Sequence, residues 1–440
     1  MNKFLTKKNI IYVIFSLVIF SFFYGFYFDE NSAGSGGYNG DITWILTNIE
    51  IFKNNSLKEA ILHNDFFGNR TPLIYILNSF LNPFMFEYEK YRISIFILSF
   101  MGPIFIYLCL KKRFPEINKE IILLLSSVIL LSPYYRTSAY WALNENYGLI
   151  TSLISLFFLN LFIEKNISII QKYFYLFSII FFSSLSVYFD LKLLIVTIIC
   201  FFYIMKSKIL FKEKFLSLLL YLTFGIPYLL LILEWNGIVA PKTQAANPNT
   251  ITNISRINDL YVYHLGYVST IIGFYLFPFL FFKKKNFFQL LNDFLNNKAK
   301  LALLILPLIY IFYMYSNIDF KSFTIDDYWV GLGIVKKIAD LFFQDILFRE
   351  AFTYLMFFLS WAVIILYVDF LSDYLILSFY FILSLIIWPL MQEYFDPIII
   401  ILVLMILKTK IKLNYLNSSF LFFYFATLLI IAKVYYSSLV

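Results

Sequence analysis

The sequence has little of what soluble enzymes usually rely on. Of its 440 residues only 14% are charged, and it holds two cysteines, two histidines and six arginines. Cys109 and Cys200 both fall inside apolar runs, which excludes a disulfide framework and favours packing over reactivity. His63 and His264 lie in different loops with no carboxylate or cysteine at ligand spacing, so no zinc site is expected. There is no Walker-type loop, no GxGxxG and no GxSxG element. ATP-dependent, dinucleotide and serine-hydrolase chemistry therefore have no basis in the sequence. An obvious repeat, a low-complexity tract and a soluble domain longer than a loop are also missing.

What is present is apolar. Hydrophobic residues make up 61% of the chain, and the mean hydropathy is +0.78. Fourteen apolar segments recur between residues 10 and 433, bounded by lysine clusters or polar loops. Each is expected to be helical, because lipid offers the backbone no other hydrogen-bond partner. The segment 71–86 is short and contains Asn78, Asn82 and Pro83. Full alternation through it would place Lys111, Lys112 and Arg113 outside, against the positive-inside tendency. A partial helix there leaves thirteen crossings. The expectation is an all-α polytopic membrane protein, one transmembrane domain over 1–440, with its first helix retained and its N-terminus cytoplasmic. The outer loops 29–70, 134–146, 190–192, 234–264, 316–350 and 392–396 then hold 18 of the 27 acidic residues. The net charge of +8 sits in short interhelical clusters, which reads as membrane topology; no nucleic-acid partner is expected. The excess of Lys over Arg, with abundant Ile, Asn, Phe and Tyr, is what an AT-rich bacterial coding sequence produces.

Residues able to carry chemistry concentrate in the outer loops. In 29–70, Asp29 and Glu30 mark the water boundary of the first helix, and a glycine-rich stretch leads to Asp41. From there Ile42, Ile45, Leu46, Ile49 and Phe52 follow helical spacing, and a second short run begins at Leu57, so two amphipathic surface helices are expected. Asp41 reads either as a helix cap or as a base able to take a proton from an acceptor hydroxyl. Arg70 and Arg136 face the same side, and a guanidinium there suits phosphate or a loop salt bridge. Lys192, two residues after Asp190, is a second phosphate contact or one end of a structural turn. Tyr140 and Trp141 offer a stacking face for a sugar or belong to an interfacial aromatic belt. Glu145 orients a ligand hydroxyl or pairs with Arg136. Glu393 and Tyr394, ahead of Pro397, read as local capping.

The Asp29-Glu30 and Gly40-Asp41 acids, the Arg70-Thr71-Pro72-Leu73 start of the next segment, and Ser132-Pro133 followed by Arg136 resemble GT-C glycosyltransferases. The likeness covers about the first 200 residues; Glu393-Tyr394 is similar to a late outer motif in some members. The resemblance implies a multipass enzyme that moves a sugar from a polyprenyl-phosphate donor to a glycan or lipid-linked acceptor, on the outer face of a bacterial cytoplasmic membrane. It implies Asp41, Asp29 or Glu30 as the base, Arg70, Arg136 and Lys192 on the phosphate, and Glu393 and Tyr394 on substrate. Direct displacement would invert the anomeric carbon. No cofactor is demanded, although the acidic loops are able to hold a divalent cation. A ten-residue glycine-rich insert separates the two acidic groups, and no WWDYG-like element is present, which argues against protein N-glycosylation. An O-antigen-type polymerase or ligase and a lipid-linked-sugar flippase are the competing classes.

Overall fold

The structure, a computed structural model, describes residues 7–33, 40–68, 71–85, 87–163, 167–246, 260–283, 287–324, 331–387 and 390–437. It is helical throughout these residues, with no strand among them. The chain divides into two compact units: Met1–Arg256 with Phe425–Val440, and Ile257–Tyr424.

The first unit opens with α1 (Lys7–Tyr27), whose 21 residues are long enough to cross a bilayer core. Three short helices follow: α2 (Asp41–Asn54), α3 (Leu57–Ile61) and α4 (Leu73–Leu81). The expected surface helices are therefore α2 and α3. Ile42, Ile45, Ile49 and Phe52 of α2 are buried, as their spacing requires, and Ser56 and Glu59 form a reciprocal capping box that starts α3. Segment 71–86 is a helix of nine residues, and α5 (Tyr88–Ser99) and α6 (Met101–Arg113) together make one apolar stretch of 26.

Next, α7 (Lys119–Ser127) passes through a 3₁₀ turn and bends by 70° into α8 (Pro133–Tyr140). Sequence explains the break. Pro133 has no N–H to continue the ladder, and the Ser132 hydroxyl accepts from the Tyr135 amide at 2.9 Å, starting a fresh helix. The long helices α9 (Asn144–Phe162), α10 (Ile169–Phe189) and α12 (Phe211–Trp235) flank the shorter α11 (Leu194–Lys206), and α13 (Pro241–Ala246) closes the run. Gly148 lets α9 approach the turn after α10, where an added methyl would meet the Leu193 side chain.

The second unit contains α14 (His264–Leu276), α15 (Phe287–Asn296), α16 (Lys298–Leu303), α17 (Ile305–Asn317), α18 (Phe320–Thr324) and α19 (Gly333–Phe342). It continues with α20 (Ile346–Tyr367), α21 (Leu371–Ser384) and α22 (Ile398–Met405), and α23 (Tyr415–Ser437) returns to the first unit. Among the described residues nine helices are long and apolar enough to cross a membrane, ten if the bent α7–α8 pair is one span. The protein is thus multipass and all-helical. Three further apolar runs among the described residues form shorter helices: α11 has 13 residues, α21 has 14 and α22 has eight.

Candidate functional site

At one end of the first unit the termini of α1, α8, α9 and α10 bring together most of its buried charge. Glu30 follows α1 and is almost fully buried, as is Arg136 on α8. Arg136 donates to both Glu30 oxygens, Nε to Oε1 at 2.7 Å and Nη2 to Oε2 at 2.9 Å. Its remaining donors go to the Ser21 carbonyl at 2.6 Å, the Ser21 hydroxyl at 3.2 Å and the Leu130 carbonyl at 3.1 Å. All five guanidinium N–H groups are used within the fold. That corrects two expectations: Arg136 has no fork left for a phosphate, and its carboxylate partner is Glu30, not Glu145. Lys433 reaches the same Glu30 oxygen at 3.0 Å, so the carboxylate is held by two cations.

Asp29 takes a left-handed backbone conformation, φ 50°, and turns its carboxylate to Arg92 of α5, with Nη2 at 2.6 Å. The Arg92 guanidinium lies 4.4 Å from the centre of the Trp141 ring and 5.1 Å from that of Phe26, and its Nε donates to the Tyr140 carbonyl at 2.9 Å. Tyr140 and Trp141 are consequently interior residues. Tyr140 donates from its hydroxyl to the Phe22 carbonyl at 2.8 Å, and neither ring is open for a sugar to stack on.

A second group forms around Lys192. The Asp190 side chain accepts from the Lys192 amide at 3.1 Å and caps a 3₁₀ turn, which aims the ammonium back over α8 and α9. There it donates to the Tyr134 hydroxyl at 2.9 Å, with Glu145 Oε1 at 3.5 Å and Asp190 Oδ2 at 3.6 Å. Its carboxylate contacts are thus longer than those of Arg136, and the side chain keeps 17% of its surface exposed. The turn reading of 190–192 and a basic group at this surface coexist.

Beside it runs a buried polar strip. Asn144 donates to the Tyr75 hydroxyl at 3.4 Å, Tyr147 donates to Asn78 Oδ1 at 3.2 Å, and Asn146 donates to the Ile95 carbonyl at 3.2 Å. Asn144 Oδ1, Asn146 Oδ1 and the Tyr91 hydroxyl are fully buried with no hydrogen-bond partner among the described residues. Buried polar atoms without a partner are uncommon in folded proteins. Thr71, opening the Thr-Pro element before α4, donates to the Tyr188 carbonyl two residues ahead of Asp190. Asn48 of α2 is in turn bonded to Phe67 through both its amide atoms, and Gly68 to Thr243. The surface helices, the Thr-Pro element and the Lys192 group therefore share one end of this unit.

Asp41 is the first residue of α2, with Gly40 in the capping position and no side-chain cap there. A carboxylate in this first turn complements the helix dipole. Arg70 lies outside the described residues. Glu393 and Tyr394 form a 3₁₀ turn in the second unit, where Gln392 donates to the Tyr275 hydroxyl at 3.1 Å. Arg92 and Lys433 were not anticipated. Arg92 follows Glu87, Glu89 and Lys90 and reads like any loop-edge charge, and Lys433 is remote in sequence from its partner. Among the described residues no group of three or more His, Cys, Asp or Glu side chains is placed to hold a metal ion. Comparison with family models, with curated proteins and with solved structures gives no match to this chain.

Proposed function

We propose that the protein is a membrane glycosyltransferase of GT-C type, taking a sugar from a polyprenyl-phosphate carrier at the end of the first unit that holds Lys192, with Asp41 of α2 as the base. The observation that supports this reading most is the tie from Thr71 to Tyr188. That hydrogen bond ties the Thr-Pro element to the helix end that leads into Lys192, which lies near Glu145 and Asp190 and next to a strip of incompletely bonded polar groups. A lipid-borne donor needs a cation for the leaving phosphate and a carboxylate for the acceptor hydroxyl.

In this reading Lys192, with Tyr134 behind it, steadies the departing polyprenyl phosphate. Asp41 accepts the acceptor hydroxyl's proton as the oxygen attacks the anomeric carbon. Bond formation to the acceptor and cleavage of the sugar–phosphate bond occur on opposite faces of that carbon, so the product is inverted. Glu30 and Arg136 build the scaffold and take no part in the transfer. The acceptor is a glycan or a lipid-linked saccharide, and the site faces outward from a bacterial cytoplasmic membrane.

The test is reconstitution of the full chain in liposomes with polyprenyl-phosphate hexoses and pentoses labelled in the sugar. Release of polyprenyl phosphate coupled to labelling of an added glycan is the expected result. Asp41→Asn should slow it by roughly 10²–10⁴-fold, the usual contribution of a general base. Wild-type turnover in Asp41→Asn, with Asp29→Asn inactive, would move the base to Asp29. Failure of the wild type to consume any donor in the panel would sink the reading.

A further inference from the structure

The second unit carries a polar cavity of about 340 Å³ whose chemistry is unrelated to the site above. Its charged and amide groups are Lys283, Lys300, Lys410, Asp369, Asp293 and Asn297. Lys283 is buried and pairs with Asp369 at 2.5 Å. Burial holds its ammonium below the usual lysine range, with Asp369 opposing that shift. Lys300 stands 3.8 Å from the other Asp369 oxygen and donates to the carbonyls of Ile365 and Val368 at the end of α20, at 3.2 and 3.3 Å.

Lys410 is positioned by its neighbours along the chain. Asp373 accepts from the amides of Lys408 and Thr409 at 3.0 and 2.7 Å, and the Lys412 amide donates to the Phe282 carbonyl at 2.6 Å. The strap between these two anchors carries the exposed Lys410 to the cavity wall. Three lysines against two aspartates leave the cavity with one net positive charge.

One wall belongs to α15, an amphipathic helix. Phe294 is buried beneath it, while Phe288 and Leu295 are 80% and 55% exposed. An apolar face left open on a short helix flanked by lysines is the pattern of a helix lying in the membrane interface. Phosphate at that depth meets Lys300 and Lys410, and hydroxyls beyond it meet Asp293 and Asn297 as acceptors.

We infer that this cavity is a binding site for a phosphodiester headgroup carrying free hydroxyls, supplied by an anionic glycerophospholipid whose acyl chains run along Phe288 and Leu295. The site is independent of the transferase reading. Its test uses the detergent-solubilised full chain, titrated with phosphatidylglycerol, with phosphatidylcholine of the same chains, and with soluble glycerol phosphate, the thermal midpoint being read. Phosphatidylglycerol should act at concentrations at least fivefold lower than phosphatidylcholine. Lys410→Gln, an exposed change that leaves the Lys283–Asp369 pair intact, should erase that preference, whereas Lys208→Gln in the first unit should keep it. An equal response to glycerol phosphate would retain the phosphate chemistry and assign the site to a soluble ester, overturning the lipid. Equal responses to both lipids, or an unaltered preference in Lys410→Gln, would overturn the site itself.

Discussion

Arg136 shows how a residue's identity is easier to read than its work. Six arginines in an apolar chain draw attention to each one, and the guanidinium fork suits phosphate; but the fork is closed on Glu30, Ser21 and Leu130. Breaking a buried pair of this kind from one side costs roughly 3–5 kcal/mol, since the other charge is left without a partner. Glu30→Gln should therefore lower the thermal midpoint in detergent sharply, and Glu30→Gln with Arg136→Met should lower it less than the two single effects combined. Additive losses would show that the two side chains do not act as a pair. A pH effect belongs at this scale too. Burial pulls the Lys337 ammonium down to about 8, with Glu393 opposing and Lys336 adding to the shift. Between about pH 8 and the unfolded lysine value near 10.4 the unfolded chain binds the extra proton, so stability rises with pH across that window. Lys337→Met should flatten the rise of the thermal midpoint between pH 8 and 10, and an unchanged slope would assign it to other groups. Single residues act locally at Ser132-Pro133, where the cap and the missing N–H start α8 within one turn, although the sequence alone reads 134–146 as a loop. Glu30 gave no such clue, because its partners come from residues 136 and 433.

Helices were read from period, and the period was sufficient where one face is buried, as in α2. The short helix expected in 71–86 is α4, which stops at Leu81, where Asn82 donates back to Asn78 and to Ser94; the apolar run near the C-terminal end holds only the eight residues of α22. Close approach was invisible at this scale. Gly25 of α1 sits against the buried ion pair, and a Cβ there would lie 2.5 Å from Arg136 Nη2, 2.7 Å from the Tyr140 hydroxyl and 2.8 Å from Glu30 Oε2. Nothing in FFYGFYF says which glycine matters. Gly25→Ala should cost about 1–3 kcal/mol, the range for overpacking a filled interior. Gly225→Ala, where no atom lies within 4 Å of the added methyl, should leave the midpoint unchanged or raised. Matching losses at the two positions would mean that the contacts around Gly25 do not set its cost.

For the whole molecule, the ion pairs of the first unit lie at helix ends. Lys8 meets Glu120 at 2.8 Å and Lys172 meets Glu213 at 2.6 Å at one set of helix ends, while Glu30, Glu145 and Asp190 gather at the other. A single cysteine at Asn64, in a background with both buried cysteines replaced, should react with an impermeant maleimide from outside intact cells; one at Lys208 should react only after permeabilisation. Labelling of both from one side would break the assignment of ends. What the sequence could not supply was the division into two units, because compactness depends on which helices pack together and not on any one of them.

The short helices α2, α3 and α4 add one more property. A nine-residue helix is about 14 Å long, less than half the hydrocarbon thickness, and Phe80 and Leu81 at its tip are 69% and 74% exposed. A helix of that length set into one leaflet adds cross-section there and none in the other. Such a wedge favours bending toward the leaflet with the smaller protein footprint, so the protein should concentrate in curved regions of a membrane and report curvature as well as composition.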